Sequence, residues 1–269
     1  MSGGIPAIAE KKHRGEKIVA LTAYDYVTAI LEERAGVDLI LVGDSIGMAV
    51  LGEETTLTVG MEVMVAHTRA VRLGAPETVV VGDMPFGSYE PSDAAAVKNA
   101  VRFLAEGGAD AVKLEGGNDA MVSRVRAIVD SGIPVMGHVG LLPQSIRKTG
   151  GYRVVKNRER DAVLREAEAL QDAGIFALVL EGMEESLAAE LTSVLKVPTI
   201  GIGAGRYTDG QILVVNDILG LSPGFMPRFV KRYGDVSPVM EEAFENYVTE
   251  VRKGIFPDEK HVYGSGVMK

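Results

Sequence analysis

The sequence predicts an α/β protein, a (β/α)8 TIM barrel, and three observations carry that expectation. Eight short apolar segments recur along the 269 residues, several of them without a polar break. Helical patterns separate most of these segments. No low-complexity linker and no shift in composition divides the chain, so residues 1–269 read as one barrel domain. Continuous apolar strands belong to parallel sheets covered on both faces, and regular strand–helix alternation over this length favours a closed barrel over an open, doubly wound sheet.

The strands, in order, are "IVALTAY" (18–24), "LILVG" (39–43), "TVVVGDM" (78–84), "AVKLEG" (111–116), "PVMGHVG" (134–140), "ALVLEG" (177–182), "TIGIGAG" (199–205) and "ILVVND" (212–217). Helices are expected over 27–35 and over 60–73, the latter apolar at Met61, Met64, Val65 and Val71. Further helices are expected over 93–106, 119–130, 158–173, 184–195 and 238–251. Ser92, with Pro91 before it, suits a helix N-cap, and so does Asp25 after the first strand. Asp93 and Asp217 read as turn or cap residues. Only about six residues separate "GAG" from "ILVV", too few for a crossover helix. Either strand eight starts later or that connection is irregular.

The bulk numbers exclude several function classes. Lys plus Arg total 28 against 37 for Asp plus Glu, and the net charge of −9 argues against a nucleic-acid or membrane-surface partner. The absence of cysteine excludes disulfides and thiolate metal sites and fits a reducing cytoplasm. The polar amino terminus lacks the apolar core of a signal peptide, and no apolar run approaches the ~20 residues of a membrane span.

In a barrel, chemistry belongs at the carboxyl ends of the strands. There the sequence places Tyr24 and Asp25, Asp44 and Ser45, Asp83, Lys113 and Glu115, His138, Glu181, and "GIGAG" at 201–205. Lys113 and Glu115 lie two apart, so they share one face of an apolar strand. Each residue alone has an ordinary strand-end explanation, and His138 alone suits a structural, hydrogen-bonded histidine better than a catalytic one. Taken together, Asp44, Asp83, Glu115 and Glu181 end four strands of one mouth, where they repel unless a cation or protons compensate. Carboxylates without Cys or clustered His suit a hard divalent ion such as Mg²⁺. Lys113 could then hold an anionic substrate or a developing oxyanion, and a carboxylate outside the metal's coordination shell could act as base. The residue types point to metal-assisted enolisation of a small oxo acid. The glycines at 201, 203 and 205 depart from the G-x-G-x-x-G dinucleotide fingerprint, and they fit either a ligand approach or tight packing at the rim.

Ten ordered motifs between about residues 5 and 255 resemble the ketopantoate hydroxymethyltransferase family. They are "LTAYD" (21–25), "LVGDSIGM" (41–48), "GDMPFGSY" (82–89), "VKLEGG" (112–117), "VMGHVGL" (135–141), "PQS" (143–145), "GGY" (150–152), "IGIGAG" (200–205), "DGQILV" (209–214) and "RFVKRY" (228–233). The resemblance implies a barrel of the phosphoenolpyruvate/pyruvate class. It also implies transfer of a one-carbon unit from 5,10-methylenetetrahydrofolate, a co-substrate, to 3-methyl-2-oxobutanoate, giving 2-dehydropantoate for pantothenate and coenzyme A. By the same resemblance one Mg²⁺ per subunit falls to Asp44, Asp83 and Glu115. Substrate contacts fall to Asp44, Ser45, Asp83 and Lys113, the general base falls to Glu181, and the assembly is a homodecamer built from pentameric rings. The chain departs from the family in "LEGMEE", where a Pro usually follows soon after the catalytic Glu, and in "GLLPQS" and "GGYRVVKN" after strand five. Lyases and mutases of the same barrel class share the metal logic but lack this motif set. A catalytically silent binding protein would be expected to have lost part of the acidic set, and all four carboxylates are present.

Overall fold

The structure is a computed structural model that describes residues 4–145, 151, 153–224 and 226–263. Most of the "GGY" motif at 150–152 therefore lies outside the described residues. The chain divides into two compact units, Met1–Val215 and Asn216–Lys269. The barrel lies in the first.

Eight parallel strands close on themselves in sequence order: β1 (Ile18–Thr22), β2 (Leu39–Val42), β3 (Val79–Asp83), β4 (Ala111–Lys113), β5 (Val135–Gly140), β6 (Ala177–Glu181), β7 (Thr199–Ile202) and β8 (Gly210–Leu213). Closure comes from β8 pairing with β1, Gly210 opposite Ile18 and Leu213 opposite Leu21. The long outer helices follow the expected pattern. They are α2 (Tyr26–Ala35), after a first helix α1 (Gly4–Arg14), and, beyond a single turn α3 (Ile46–Ala49), α4 (Met61–Gly74), α5 (Asp93–Ala105), α6 (Asp119–Asp130), α7 (Arg160–Asp172) and α8 (Glu185–Val194). Asp25 caps α2 by accepting from the Val27 and Thr28 N–H groups, and Ser92 caps α5 by accepting from Ala95 N–H. Asp93 opens α5 and pairs with Arg124 of α6.

The connection between β7 and β8 is the irregular one of the two alternatives, and β8 begins two residues earlier than the apolar run suggests. Gly205 in this connection and Gly201 of β7 are closely packed. A Cβ on Gly205, at φ +78°, would lie 2.4 Å from Glu185 Cγ, and one on Gly201 would lie 2.7 Å from Thr208 Oγ1.

Alternation along the strands builds the barrel's interior. Ile18 and Ala20, Leu39 and Leu41, Val79 and Val81, Ala111, Met136, Ala177 and Val179, Ile200 and Ile212 form one buried cluster. Ile5 and Ile8 of α1 pack into it, closing the end where the strands start. Because strand side chains alternate with period two, the same inward rows continue upward into Asp83, Lys113, His138 and Glu181. The barrel's geometry thus collects the polar residues at one mouth. On the outer face, β3 approaches α5 so closely that a Cβ on Gly82 would meet the Phe103 ring at 2.2 Å.

The one-turn helix α9 (Val215–Ile218) leads into the second unit, where Ser222 Oγ donates to Asp217 at 2.5 Å. That unit's main element is α10 (Ser237–Arg252), which has no buried residue. Its Val239, Met240, Phe244, Tyr247, Val248 and Val251 are all exposed. Among the described residues, no helix is long and apolar enough to cross a membrane.

Candidate active site

Strand register creates the central ion pair. Asp83 of β3 stands directly opposite Lys113 of β4. The Lys113 ammonium donates to both Asp83 carboxylate oxygens, at 2.7 and 2.9 Å, with both residues almost fully buried. Burial by itself pulls the lysine's pKa down. The charges of Asp83, Glu115 and Asp44 more than offset that, so Lys113 is held firmly protonated.

Asp44 lies just past the end of β2, and its backbone N–H donates to Asp83 Oδ2 at 3.2 Å. Burial, then repulsion by Asp83, pushes the Asp44 carboxyl up to about 7, against Lys113, Gln144 and Thr56, which favour the charged form. Ser45, at the start of α3, places its hydroxyl 2.8 Å from that of Tyr24.

Glu115 lies two residues beyond the end of β4. Its Oε2 accepts from the Gln144 N–H at 3.1 Å, while its buried Oε1 has no hydrogen-bond partner. That oxygen lies 4.0 Å from Lys113 Nζ and 3.7 Å from His138 Nδ1. Burial raises the Glu115 pKa well above the usual carboxylate range, and Lys113 opposes the shift. The His138 ring is wholly buried and its Nε2 lies 3.3 Å from Glu181 Oε2, a close approach without good hydrogen-bond alignment. Desolvation lowers the His138 pKa against the pull of Glu181, so the imidazole is neutral at pH 7. Glu181, at the tip of β6, is the acid at the solvent edge, with 21% of its side chain exposed against 3% for Glu115.

All six residues predicted from the sequence therefore lie at one mouth. A line of contacts runs from Asp83 through Lys113, Glu115 and His138 to Glu181. Sequence reasoning gave no role to Tyr89 and Gln144, both buried, which knit Asp44, Met84 and Glu115 together. Their one signal was membership of "GDMPFGSY" and "PQS". A cavity of about 150 Å³ opens beside Glu115, walled by Phe86, Tyr89, Met121 and Leu142.

Four carboxyl groups face one ammonium, and burial biases Asp44 and Glu115 toward their protonated forms, a bias that a bound cation would oppose. Among the described residues, no group of three or more His, Asp or Glu side chains is placed to hold a metal ion. A hard cation such as Mg²⁺ does not need one: it takes one or two carboxylates and keeps water or substrate in its other positions. The all-oxygen donor set and the orphaned Glu115 Oε1 fit such an ion.

Residues 4–259 match the ketopantoate hydroxymethyltransferase family. The chain belongs to that family. A 3-methyl-2-oxobutanoate hydroxymethyltransferase from Trichlorobacter lovleyi is 50% identical over 260 residues, covering 96% of this chain and 97% of that protein. One of the same name from Moorella thermoacetica is 52% identical over 261 residues, with the same coverage. Among solved structures, phosphonopyruvate hydrolase in complex with oxalate and Mg²⁺ superposes with a TM-score of 0.62 at 14% identity, covering 97% of this chain and 92% of that one. A 2,3-dimethylmalate lyase of the PEP mutase/isocitrate lyase superfamily gives 0.61 at 15% identity, covering 96% and 91%. These structures share the fold, a closed (β/α)8 TIM barrel. The chain is thus an enzyme of a hydroxymethyltransferase family tied to pantothenate synthesis.

Proposed function

We propose that the chain transfers the one-carbon unit of 5,10-methylenetetrahydrofolate to 3-methyl-2-oxobutanoate. Water supplies the hydroxyl, and the products are 2-dehydropantoate and tetrahydrofolate. The observation that carries the mechanism is the run of contacts at one barrel mouth that leads from a buried ammonium, Lys113, through Glu115 and His138 to a solvent-edge carboxylate, Glu181.

Lys113 and Ser45 hold the oxo acid, with Asp44 and Asp83 fixing the polar frame around it. The Lys113 charge favours the oxyanion that develops at the keto oxygen. Glu181 accepts the C3 proton, and the C–H electron pair moves into a C2–C3 double bond. Water cleaves both C–N bonds of the folate's methylene bridge, leaving two N–H groups on tetrahydrofolate and the carbon as formaldehyde. The enolate C3 attacks that carbon, and its oxygen takes up a proton to become the hydroxyl. His138, neutral and buried, abuts Glu181. One Mg²⁺ per subunit would be held by Asp44, Asp83 and Glu115, and would supply Lewis-acid stabilisation of enolate charge.

Exchange of the C3 proton of 3-methyl-2-oxobutanoate into deuterated water tests this reading without folate. Glu181→Gln should lose about 10² to 10⁴ in exchange rate while still binding the oxo acid. Parent-rate exchange in that variant would move the base elsewhere, with His138 next in line.

The reading extends to assembly and location. The exposed apolar side chains of α10 support self-association, and the family resemblance makes the assembly a homodecamer. Sedimentation at working concentration checks it, and a stable, active monomer would contradict it. The cysteine-free composition supports a cytoplasmic setting.

A further inference from the structure

Gln144 lies outside the strands, on a short 3₁₀ turn (Pro143–Ser145) after β5, and it is buried. Its Nε2 donates to Asp44 Oδ2 at 2.9 Å and to the Met84 carbonyl at 3.1 Å. Its Oε1 accepts from the Tyr89 hydroxyl at 2.6 Å, and its backbone N–H donates to Glu115 Oε2 at 3.1 Å. The amide orientation follows from these partners. The Met84 carbonyl only accepts, so it must face the NH₂ group. The Tyr89 hydroxyl oxygen already accepts from the Glu115 N–H at 3.3 Å, leaving its proton for Gln144 Oε1. An N–H is therefore aimed at Asp44, not an oxygen.

Asp44 and Glu115 come from different strands and are both buried, so nothing in their charges would bring them together. Gln144 takes up one oxygen of each and leaves Glu115 Oε1 as the oxygen with no hydrogen-bond partner. We propose that Gln144, locked by Tyr89, is a positioning residue that sets the spacing and orientation of Asp44 and Glu115 for a divalent cation and the oxo acid beside it. The proposal rests on the metal reading above. A residue from the loop after β5 thereby fixes the geometry of groups just beyond β2 and β4. Groups of this kind behind a metal site typically govern affinity 10–100-fold.

The test is calorimetric titration of Mg²⁺ into the metal-free full-length protein, without substrates, alongside a melting temperature. The variants are Gln144→Met, which keeps the volume and removes the amide, and Tyr89→Phe, which removes only the hydroxyl that locks it. Folded Gln144→Met should bind Mg²⁺ about 10–100-fold more weakly, and Tyr89→Phe should shift affinity in the same direction by less. In turnover, KM for the oxo acid should rise by a larger factor than kcat falls. Parent-like Mg²⁺ affinity in folded Gln144→Met overturns the proposal. If that variant does not fold, parent-like affinity in Tyr89→Phe overturns it. A parent protein that takes up no Mg²⁺ overturns the metal reading itself, a distinct outcome from parent and variant binding it equally well.

Discussion

Replacing Lys113 by Met should destabilise the barrel before any question of catalysis arises. Met keeps most of the aliphatic stem and removes the ammonium. Asp83, 1% exposed, then loses a donor to both of its oxygens and keeps only the Asp44 N–H. Breaking a buried pair by deleting one partner costs about 3–5 kcal/mol, because the other charge stays buried without compensation. At roughly 2–4 °C per kcal/mol for a chain of this general size, the melting temperature should fall by about 6–20 °C. Urea unfolding in the presence of a chelator reads the effect, since added Mg²⁺ could replace the missing positive charge. The double variant Lys113→Met/Asp83→Asn should recover part of the loss, because it removes the orphaned charge as well. Equal midpoints for parent and Lys113→Met, or a double variant no better than the single one, would refute the reasoning.

Two further substitutions test the packing. Glu32 of α2 is buried, and neither carboxylate oxygen has a hydrogen-bond partner. Burial, then Asp25, pushes its carboxyl from the ordinary 4.5 up to about 8. The folded chain therefore keeps a proton that the unfolded chain has released, and the stability present below pH 4.5 is lost as pH rises through about 8. The loss is at most about 5 kcal/mol. Glu32→Gln should flatten this dependence and melt higher than the parent at pH 9, whereas an offset from the parent that is the same at every pH would contradict the assignment. Gly82→Ala would push a methyl group into the Phe103 ring and should cost about 1–3 kcal/mol in urea unfolding, partly recovered by adding Phe103→Leu; a neutral Gly82→Ala would mean that β3 and α5 separate freely.

The barrel was legible because parallel strands covered on both faces leave continuous apolar runs, and "LILV" and "VVVGD" appear almost as written. Helix α1 was missed because only Ile8 of it is fully buried, and one apolar residue leaves no periodic trace. The start of β8 was misplaced because Gly210 and Gln211 carry no strand signature, and only their pairing with β7 on one side and β1 on the other makes them strand. In the site, the charged residues announced themselves, since a Lys and four acids at apolar strand ends need a compensating arrangement. Gln144 and Tyr89 are neutral and sit in loops, so neither charge nor period marks them, although they orient two of those acids. Glu32 reads in "LEERAG" as an ordinary solvent-facing helix charge, and its burial is set by tertiary packing alone.

The central claim is that this mouth joins a one-carbon donor to the enolate of a small oxo acid. Its most direct test is 2-dehydropantoate formation from 3-methyl-2-oxobutanoate, with methylenetetrahydrofolate and Mg²⁺ omitted one at a time. The account predicts product only when both are present, with activity lost on chelation and restored by Mg²⁺. Full turnover in metal-free buffer, or no product with the complete mixture, would contradict it.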